Sequence, residues 1–354
     1  MKLIKSISAL LFTAFMATAI CLVTGFNFYA IGVTLLFISL IPAPKGVALM
    51  AIQKEIWTKD IVDNLYKNNA FAQRSFNADM YVLMGKVVHI PVAGSPSTVK
   101  KNLDTFPQTA IKRVDTEITY AIDTLYSLPR HIEHIEQYEL SYDKRQSVLG
   151  EDQAALIDSA MDSLLFRWAP LVAKTILTDG ADVPATLAGA TGNRKAFTKS
   201  VFSTIRLAMN KANIPAAGRV ALLTSDHYQQ FFSSLSEAEK TDFGKVADLA
   251  NGIVGRYLGF DIMERSTVLR YRGADNAYVV VDEQADNYLP NDDDRAASLI
   301  WHDKSVERAK GEVKIFDEAD NPEYYGGITS MLLRLGGRIR RANGVWGVVE
   351  ALAA

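Results

Sequence analysis

The side chains with the most evident chemical potential in this sequence are five scattered histidines. Imidazole nitrogens transfer protons near neutral pH and ligate metals, but a working site needs several such groups to converge. Each histidine stands in a segment that a structural role explains equally well, so none marks a catalytic site by itself. They are His89, His131, His134, His227 and His302.

One string, Ser225, Asp226 and His227, contains the three residue types of a hydrolase triad. The members of a catalytic triad come from separate segments, and consecutive side chains cannot all face one substrate. Thr224, Ser225 and Asp226 are instead residue types that cap helices, so the string predicts the start of a helix over 228–235.

A second cluster combines His131 and His134 with Glu133 and Glu136, which are possible metal ligands. No further group of ligand residues supports a metal site there. We therefore expect a solvated helical or turn segment.

Two other short motifs resemble ligand-binding loops without meeting their requirements. Residues 189–195 are rich in glycine but lack the GxxxxGK[ST] pattern and a preceding strand, so we interpret them as part of a linker over 178–193. Asp292, Asp293 and Asp294 lack the spaced oxygen ligands of a calcium loop and predict a solvated acidic turn. The sequence thus predicts no enzyme, and no catalytic, cofactor-binding or metal-binding residues.

Composition describes an ordinary globular protein of 354 residues with a net charge of −2. This near balance argues against a basic nucleic-acid-binding protein. The single cysteine, Cys21, excludes an internal disulfide framework and a cysteine-based metal cluster.

The first 49 residues differ from the rest, because residues 6–44 contain no charged side chain. Three interpretations stay open: a signal peptide, a hairpin of two short membrane helices, or an extension upstream of a functional chain that begins near Met50. The rest of the chain has no further apolar run of membrane length.

The elements that follow have mixed helix and strand character. Residues 56–66 show helical spacing and predict either an arm that docks on a neighbour or a helix packed on its own domain. Residues 80–92 and 111–128 predict two strands of an extended β-ribbon with a polar tip that contains Lys100, Lys101 and Asn102. Residues 151–177 predict the longest helix, and 195–210 a second helix.

The stretch 213–271 predicts a compact α/β unit. Pro215 and Gly218 form a turn before a buried strand over 220–223, and Gly252, Gly255 and Gly259 precede another strand at 260–263. Further on, we predict a buried strand over 278–282, a strand and helix over 296–310, and a strand over 313–316. An apolar ribbon over 324–341 is then expected to lead to a segment at 344–349.

Two motifs in this order, P-x-x-G-R at 215–219 and G-x-x-G-x-x-x-G-F at 252–260, resemble the central domain of tailed-bacteriophage major capsid proteins. A later series of motifs, including Trp301-His302, Tyr324-Tyr325-Gly326 and Arg340-Arg341, resembles the return of the capsid chain into its peripheral domain. The resemblance covers about 50–349.

This resemblance implies an α+β fold of the Hong-Kong-97 type. Its parts would be an N-terminal extension (1–49), an N-terminal arm (50–79), an extended β-ribbon (80–128), a peripheral domain with a long spine helix (129–192 and 292–354) and a central domain (193–291). Arg334, Arg338, Arg340 and Arg341 would face packaged nucleic acid, a neighbour's carboxylates, or solvent at a strand edge.

The resemblance further implies a structural protein of the virion that assembles in the host cytoplasm into hexamers and pentamers of an icosahedral shell. Its partners would be other copies, scaffold and portal proteins, and double-stranded DNA contacted nonspecifically. Membrane contact is expected only if residues 1–49 are retained. Two alternatives stay open: a membrane-anchored or exported bacterial α/β binding protein, and an encapsulin-like shell protein.

Overall fold

A computed structural model describes the chain over residues 58–59, 61–62, 64–65, 69–83, 87–92, 101–102, 116–133, 144–248, 251–275, 277–285, 287–323 and 325–353. All of these belong to one compact unit, Trp57–Ala354. The second unit, Met1–Ile56, lies outside the described residues, as do the three interpretations of residues 1–49.

Four α-helices are described: α1 (Lys144–Arg167), α2 (Ser200–Lys211), α3 (Ser225–Ser234) and α4 (Glu237–Gly244). The strands of the first half are β1 (Phe76–Asn77), β2 (Val82–Leu83), β3 (Val87–Val92), β4 (Thr116–Ala121), β5 (Asp123–Tyr126), β6 (Arg130–Glu133), β7 (Thr175–Leu177), β8 (Asp182–Pro184) and β9 (Asn193–Lys195). Those of the second half are β10 (Arg219–Thr224), β11 (Gly255–Tyr257), β12 (Phe260–Arg265), β13 (Leu269–Arg272), β14 (Val279–Val281), β15 (Asp294–His302), β16 (Val306–Asn321), β17 (Gly326–Ile339) and β18 (Val345–Val349). Short 3₁₀ turns lie at Ala70–Gln73, Asp79–Tyr81, Val172–Lys174 and Ala342–Gly344.

An eight-stranded sheet forms the centre of the molecule, in the order β11-β12-β10-β15-β13-β14, with β18 between β15 and β7. Both of its faces are covered. Val220 and Leu222 of β10 belong to one hydrophobic cluster, whereas Ala221 and Leu223 belong to another. This alternation follows from the two-residue period of a strand, and burial on both faces explains the continuous apolar run.

Helix α1 is the spine of the fold. Leu164 and Leu165 of this helix, and Trp168 directly after it, share a cluster with β10 and β15 of the central sheet and with β17 of a second sheet. That second sheet has the order β1-β16-β17-β5, with β6 also paired to β17. The two sheets therefore share one core, which is organised along α1.

The predicted β-ribbon is confirmed for β3 and β4, whereas the rest of the two predicted strands differs, because β2 folds back on β3 and β5 pairs with β17. β3 and β4 pair in antiparallel register from Val87↔Ala121 to Val92↔Thr116, and β2 adds a short third strand. Lys101 and Asn102, which follow β3 in sequence, are exposed, and Lys100 lies outside the described residues.

Several predicted elements differ from the structure. The expected strand and helix over 296–310 is wrong, because this stretch contributes to β15 and β16. The helix predicted over 151–177 begins earlier and ends at Arg167, since Pro170 cannot continue it. The helix expected over 195–210 is Ser200–Lys211. The strand expected over 278–282 is shorter and not buried throughout, because Val279 is 65% exposed at the sheet edge.

Within the predicted arm, residues 58–59, 61–62 and 64 are helical. Ile61 and Leu65 are fully buried in the cluster that contains residues of α1. Of the two interpretations of this segment, the burial agrees with a helix that packs on its own domain. Among the described helices, none has the length and apolar composition needed to span a lipid bilayer.

Candidate functional site

The histidines do not come together. His89 on β3 pairs with Glu117 of the adjacent strand, His131 lies exposed on β6, and His227 and His302 are buried at separate places. The segment at 130–133 is a strand and not the expected helix or turn, while His134 and Glu136 lie outside the described residues. In the described ranges, no three His, Cys, Asp or Glu side chains are placed to hold a metal.

His227 takes part in a buried chain of three polar side chains. Its Nδ1 lies 2.7 Å from Ser298 Oγ, and its Nε2 lies 3.4 Å from Glu350 Oε1. These are the residue types of a hydrolase triad, but all three side chains are buried and Ser298 lies in the middle of β15. No substrate can reach the serine hydroxyl. These three buried side chains instead fasten the C-terminal residues to the central sheet.

The sequence did not predict this group of three side chains, because its members are far apart along the polypeptide. Ser225 and Asp226, the two residues next to His227, are exposed in the first turn of α3. Thr224 caps that helix by accepting a hydrogen bond from the His227 amide, so the predicted helix start is confirmed. Nothing in the sequence around Ser298 or Glu350 indicates that they approach His227.

The prediction of a solvated acidic turn is wrong for Asp294. Its side chain is completely buried and forms ion pairs with Arg270 at 3.2 Å and Arg272 at 2.6 Å. These arginines hold the pKa of Asp294 below its usual value, although burial acts in the opposite direction. Asp292 and Asp293 alone are exposed.

The glycine-rich stretch before Lys195 is part of a hairpin, β8–β9, and does not cradle a phosphate. Arg194 is buried and donates hydrogen bonds to the carbonyl oxygens of Thr191, Asp292 and Asp294. Its guanidinium is thus occupied by the chain itself, which anchors this predicted linker to the start of β15.

The P-x-x-G-R motif has a structural role that the geometry makes clear. Gly218 has a φ of +83° and lies directly against the Asp303 side chain, where a Cβ atom would clash. Arg219 is buried and donates to the carbonyl oxygens of Pro215 and Ile214 and to Asn210 Oδ1. The motif therefore ties the end of α2 to the start of β10.

Three of the four clustered arginines are engaged inside the chain. Arg334 pairs with Glu312, and Arg338 and Arg340 both pair with Glu307, whose side chain is fully buried. β17 lies between β16 and the pair β5 and β6, so it is not a strand edge. The interpretation as a solvated strand edge is therefore wrong for Arg334 and Arg338, which lie on β17 and are half-buried. Arg340 and Arg341 follow β17 and are exposed. That these arginines face nucleic acid or a neighbour's carboxylates stays a prediction.

Glu307 forms the centre of the ribbon base. Arg338 lies 2.6 Å from Glu307 Oε1 and over the ring of Tyr120, which is on β4 of the ribbon. Arg340 lies 3.2 Å from Glu307 Oε2 and 4.0 Å from the ring centre of Phe76 on β1. Burial, and secondarily the charge of Glu307, raise the pKa of the Tyr120 hydroxyl well above its ordinary value. One buried carboxylate thus links the ribbon, β1 and the long β16–β17 hairpin.

Apolar side chains support this ribbon base and others project from the body around it. Ala78, Val88, Ile90, Ile122 and Ala309 form a separate hydrophobic cluster beneath the ribbon. Large apolar side chains are exposed at the end of β5 and along the β16–β17 hairpin: Tyr126, Leu128, Phe316 and Tyr325. Exposed apolar groups of this size mark surfaces that a partner can cover.

No protein-family model matches this sequence, and no curated protein is similar to it. Solved structures with a similar fold include the capsid of cyanophage P-SCSP1u, with a TM-score of 0.51 and 18% identity over 79% of this chain and 87% of that chain. The capsid of Ralstonia phage GP4 gives a TM-score of 0.51 and 12% identity, over 79% and 88% of the two chains.

A third similar structure is the capsid of cyanophage Pam1, with a TM-score of 0.50 and 14% identity over 79% of this chain and 91% of that chain. Similarity at this level of identity concerns the fold, and it extends over most of each chain. Together with the ribbon, the spine helix and the central sheet, it shows that this chain has the Hong-Kong-97-type capsid fold.

Proposed function

We propose that this protein is the major capsid protein of a tailed, double-stranded DNA phage or prophage. The observation that carries the proposal is the β-ribbon, which is anchored at its base by Glu307 within a fold shared with phage capsids. Copies would assemble into hexamers and pentamers of an icosahedral shell that encloses DNA.

The ribbon supports this function because a two-stranded β-ribbon is marginally stable unless another surface covers it. One face of the ribbon is covered by its own chain, because Val88 and Ile90 are buried with Ala78, Ile122 and Ala309. The opposite face is exposed at Glu117, Thr119 and Ala121, and among the described residues β4 pairs with β3 alone. A neighbouring copy would cover that face. Repeated many times in a shell, each such contact adds apolar burial at about 25 cal/mol per Å².

The exposed apolar side chains on the body provide further contact surfaces for neighbours. Tyr126 and Leu128 line an open groove of about 460 Å³ beside α1, and Tyr325 lies near the tip of the β16–β17 hairpin. Standard protein interfaces place such apolar groups at their centre and polar groups at the rim.

The proposed division into domains follows the two sheets. A peripheral domain would contain α1 and the β16–β17 hairpin, and a central domain the eight-stranded sheet. Because β15 and β18 belong to that sheet, the predicted boundary at residue 291 runs through it. We further propose scaffold and portal proteins as partners and the virion as the location of the protein. The proposed role is structural and not enzymatic.

Sedimentation velocity of the purified full chain tests this proposal, with the chain from Met50 onward as a second sample. The account predicts megadalton particles, either spontaneously or with a co-expressed scaffold. A species of about 39 kDa under all conditions, including high salt and scaffold, would contradict it and favour a membrane-anchored or exported binding protein.

A further inference from the structure

A group of cations lies together where three turns of the chain meet. The first turn is the 3₁₀ turn Val172–Lys174, the second lies at 302–305 between β15 and β16, and the third at 340–344 between β17 and β18. The Arg340 and Arg341 amides both donate to the Ser305 carbonyl oxygen, at 2.8 and 3.1 Å. Lys174 Nζ donates to Asn343 Oδ1 at 3.0 Å. We call the surface formed by these three turns the junction surface.

The cations of the junction surface are Lys174, Lys304 and Arg341. Lys304 and Arg341 are exposed and, within the described part of the chain, form no ion pair. Among the described residues, Lys174 Nζ contacts neutral groups, namely the Asn343 amide and the Trp346 ring at 4.9 Å. The surface also contains one carboxylate, Asp303, which is packed against Gly218 and sets one negative charge against the three cations.

Three lysines elsewhere on the central part of the molecule differ from these, although Lys211 at the end of α2 is likewise exposed and has no ion pair among the described residues. Lys199 pairs with Glu239, Lys240 with Glu237 and Lys245 with Asp242, so their charges are locally balanced. Charge at the junction surface is also visible in a neighbouring group. Burial lowers the pKa of His302, and the charges of Lys304 and Arg219 lower it further, against the opposing effect of Asp303.

We propose that the junction surface binds the phosphate backbone of double-stranded DNA, and therefore faces the interior of the shell. This proposal rests on the proposed capsid function, which makes packaged DNA the abundant polyanion. Three cations held by hydrogen-bonded turns would neutralise phosphates without reading bases, because phosphate contacts position a protein on DNA but carry no sequence information. A protein with a net charge of −2 would thus contact DNA through one local surface.

Fluorescence anisotropy with a labelled DNA duplex of about 30 base pairs tests the proposal. Unassembled subunits are taken from each sample of the full chain, because a closed shell would hide an interior surface, and are measured between about 50 and 200 mM NaCl. The variant is Lys304→Gln with Arg341→Gln. Each lost phosphate contact reduces the slope of log K against log salt by about 0.9, so we expect a slope shallower by about 2 and affinity at least about tenfold weaker at the lowest salt. The matched control, Lys240→Gln with Lys245→Gln, removes the same charge from α4 and the residue that follows it, and should bind as the unmodified protein does.

Equal binding by the variant and the unmodified protein, or equal loss in the control, would overturn the proposal. So would preferential binding of poly-glutamate over DNA, since that result would identify an acidic protein as the partner. Electron microscopy of the same samples separates this inference from the proposed function. If all three proteins form shells, the capsid function stands and the DNA result judges the junction surface alone; if none does, the capsid function fails independently of the binding result.

Discussion

Glu239 illustrates how a single side chain joins several elements of the fold. Its carboxylate accepts hydrogen bonds from Lys199 Nζ at 2.8 Å and from the amide and hydroxyl of Ser236, each at 2.9 Å. With Ser236 it forms a capping box at the start of α4, which satisfies amides that otherwise lack partners. Lys199, which directly precedes α2, is thereby linked to α4.

These contacts lower the pKa of Glu239 from its usual 4.5 to about 2, the hydrogen bond from Lys199 contributing most. A carboxyl whose pKa is lower in the folded state stabilises the fold above its unfolded pKa, and the contribution is lost as the pH falls toward the folded value. We therefore expect Glu239→Gln to reduce stability at pH 6, with the difference from the unmodified protein shrinking between about pH 4.5 and 2.

Urea midpoints measured at several pH values check this prediction. Glu237→Gln is the control, because its side chain is 90% exposed and pairs only with Lys240. A difference for Glu239→Gln that stays constant from pH 6 to about pH 2 would show that the lowered pKa does not contribute to stability.

At this scale, the sequence predicts local features and misses long-range ones. The cap at Thr224 and the turn at Gly218 follow from residue types that act on their own neighbours. The partners of Glu307, Asp294 and His227 come from other strands, and their charge or polarity alone suggests exposure. Burial of these groups is possible only because distant residues pair with them.

Among the elements, the contact between α1 and β17 depends on Gly337. A Cβ atom there would lie 2.6 Å from the Glu307 carbonyl oxygen and from Leu164 Cδ1, and 2.8 Å from Trp168 Nε1. The Trp168 indole donates to that same carbonyl at 2.9 Å. Glycine therefore allows the spine helix to approach the sheet closely enough for this hydrogen bond.

We expect Gly337→Ala to lower the free energy of unfolding by about 2 kcal/mol or more, because a methyl group must push α1 away from β17. Gly150→Ala is the matched control. Gly150 lies inside α1 with no atom within 4 Å of its Cβ position, so alanine should raise stability by about 0.5–1 kcal/mol. Denaturant unfolding measures both, and similar effects of the two substitutions would contradict the packing account.

The ribbon provides a test at the level of a whole element. Val92 and Thr116 are paired, so an Asn-Gly turn in place of residues 93–115 closes the hairpin without changing the register of β3 and β4. We expect this variant to fold with an unchanged circular dichroism spectrum and to lose assembly into shells. The ribbon base should persist, because Glu307 and its arginines are retained. Shells of normal size from this variant would contradict the role given to the ribbon.

A helix or strand is predicted well when the sequence pattern that specifies it lies within the segment itself. The ribbon strands and α1 follow from β-branched residues and from helical spacing. The stretch that contains Glu307, Arg308, Ala309 and Lys310 has helix-forming residue types, which favoured a helix. It forms β16 because β1 and β17 pair on its two sides, and such tertiary pairing overrides local propensity.

For the molecule as a whole, the order of motifs along the chain indicated the correct fold class. It did not reveal that one sheet collects strands from three predicted segments, 129–192, 193–291 and 292–354. β15 pairs with β10, β13 and β18, and β18 pairs with β7. These pairings depend on long-range packing, so a division of the sequence into consecutive domains could not find them.

Electron cryomicroscopy of particles formed by the full chain, with a scaffold co-expressed where needed, tests the central claim most directly. The account predicts closed icosahedral shells in which the ribbon of one subunit lies against the next and the junction surface faces inward. A monodisperse monomer in every condition, or particles whose subunits make no contact through the ribbon, would contradict it.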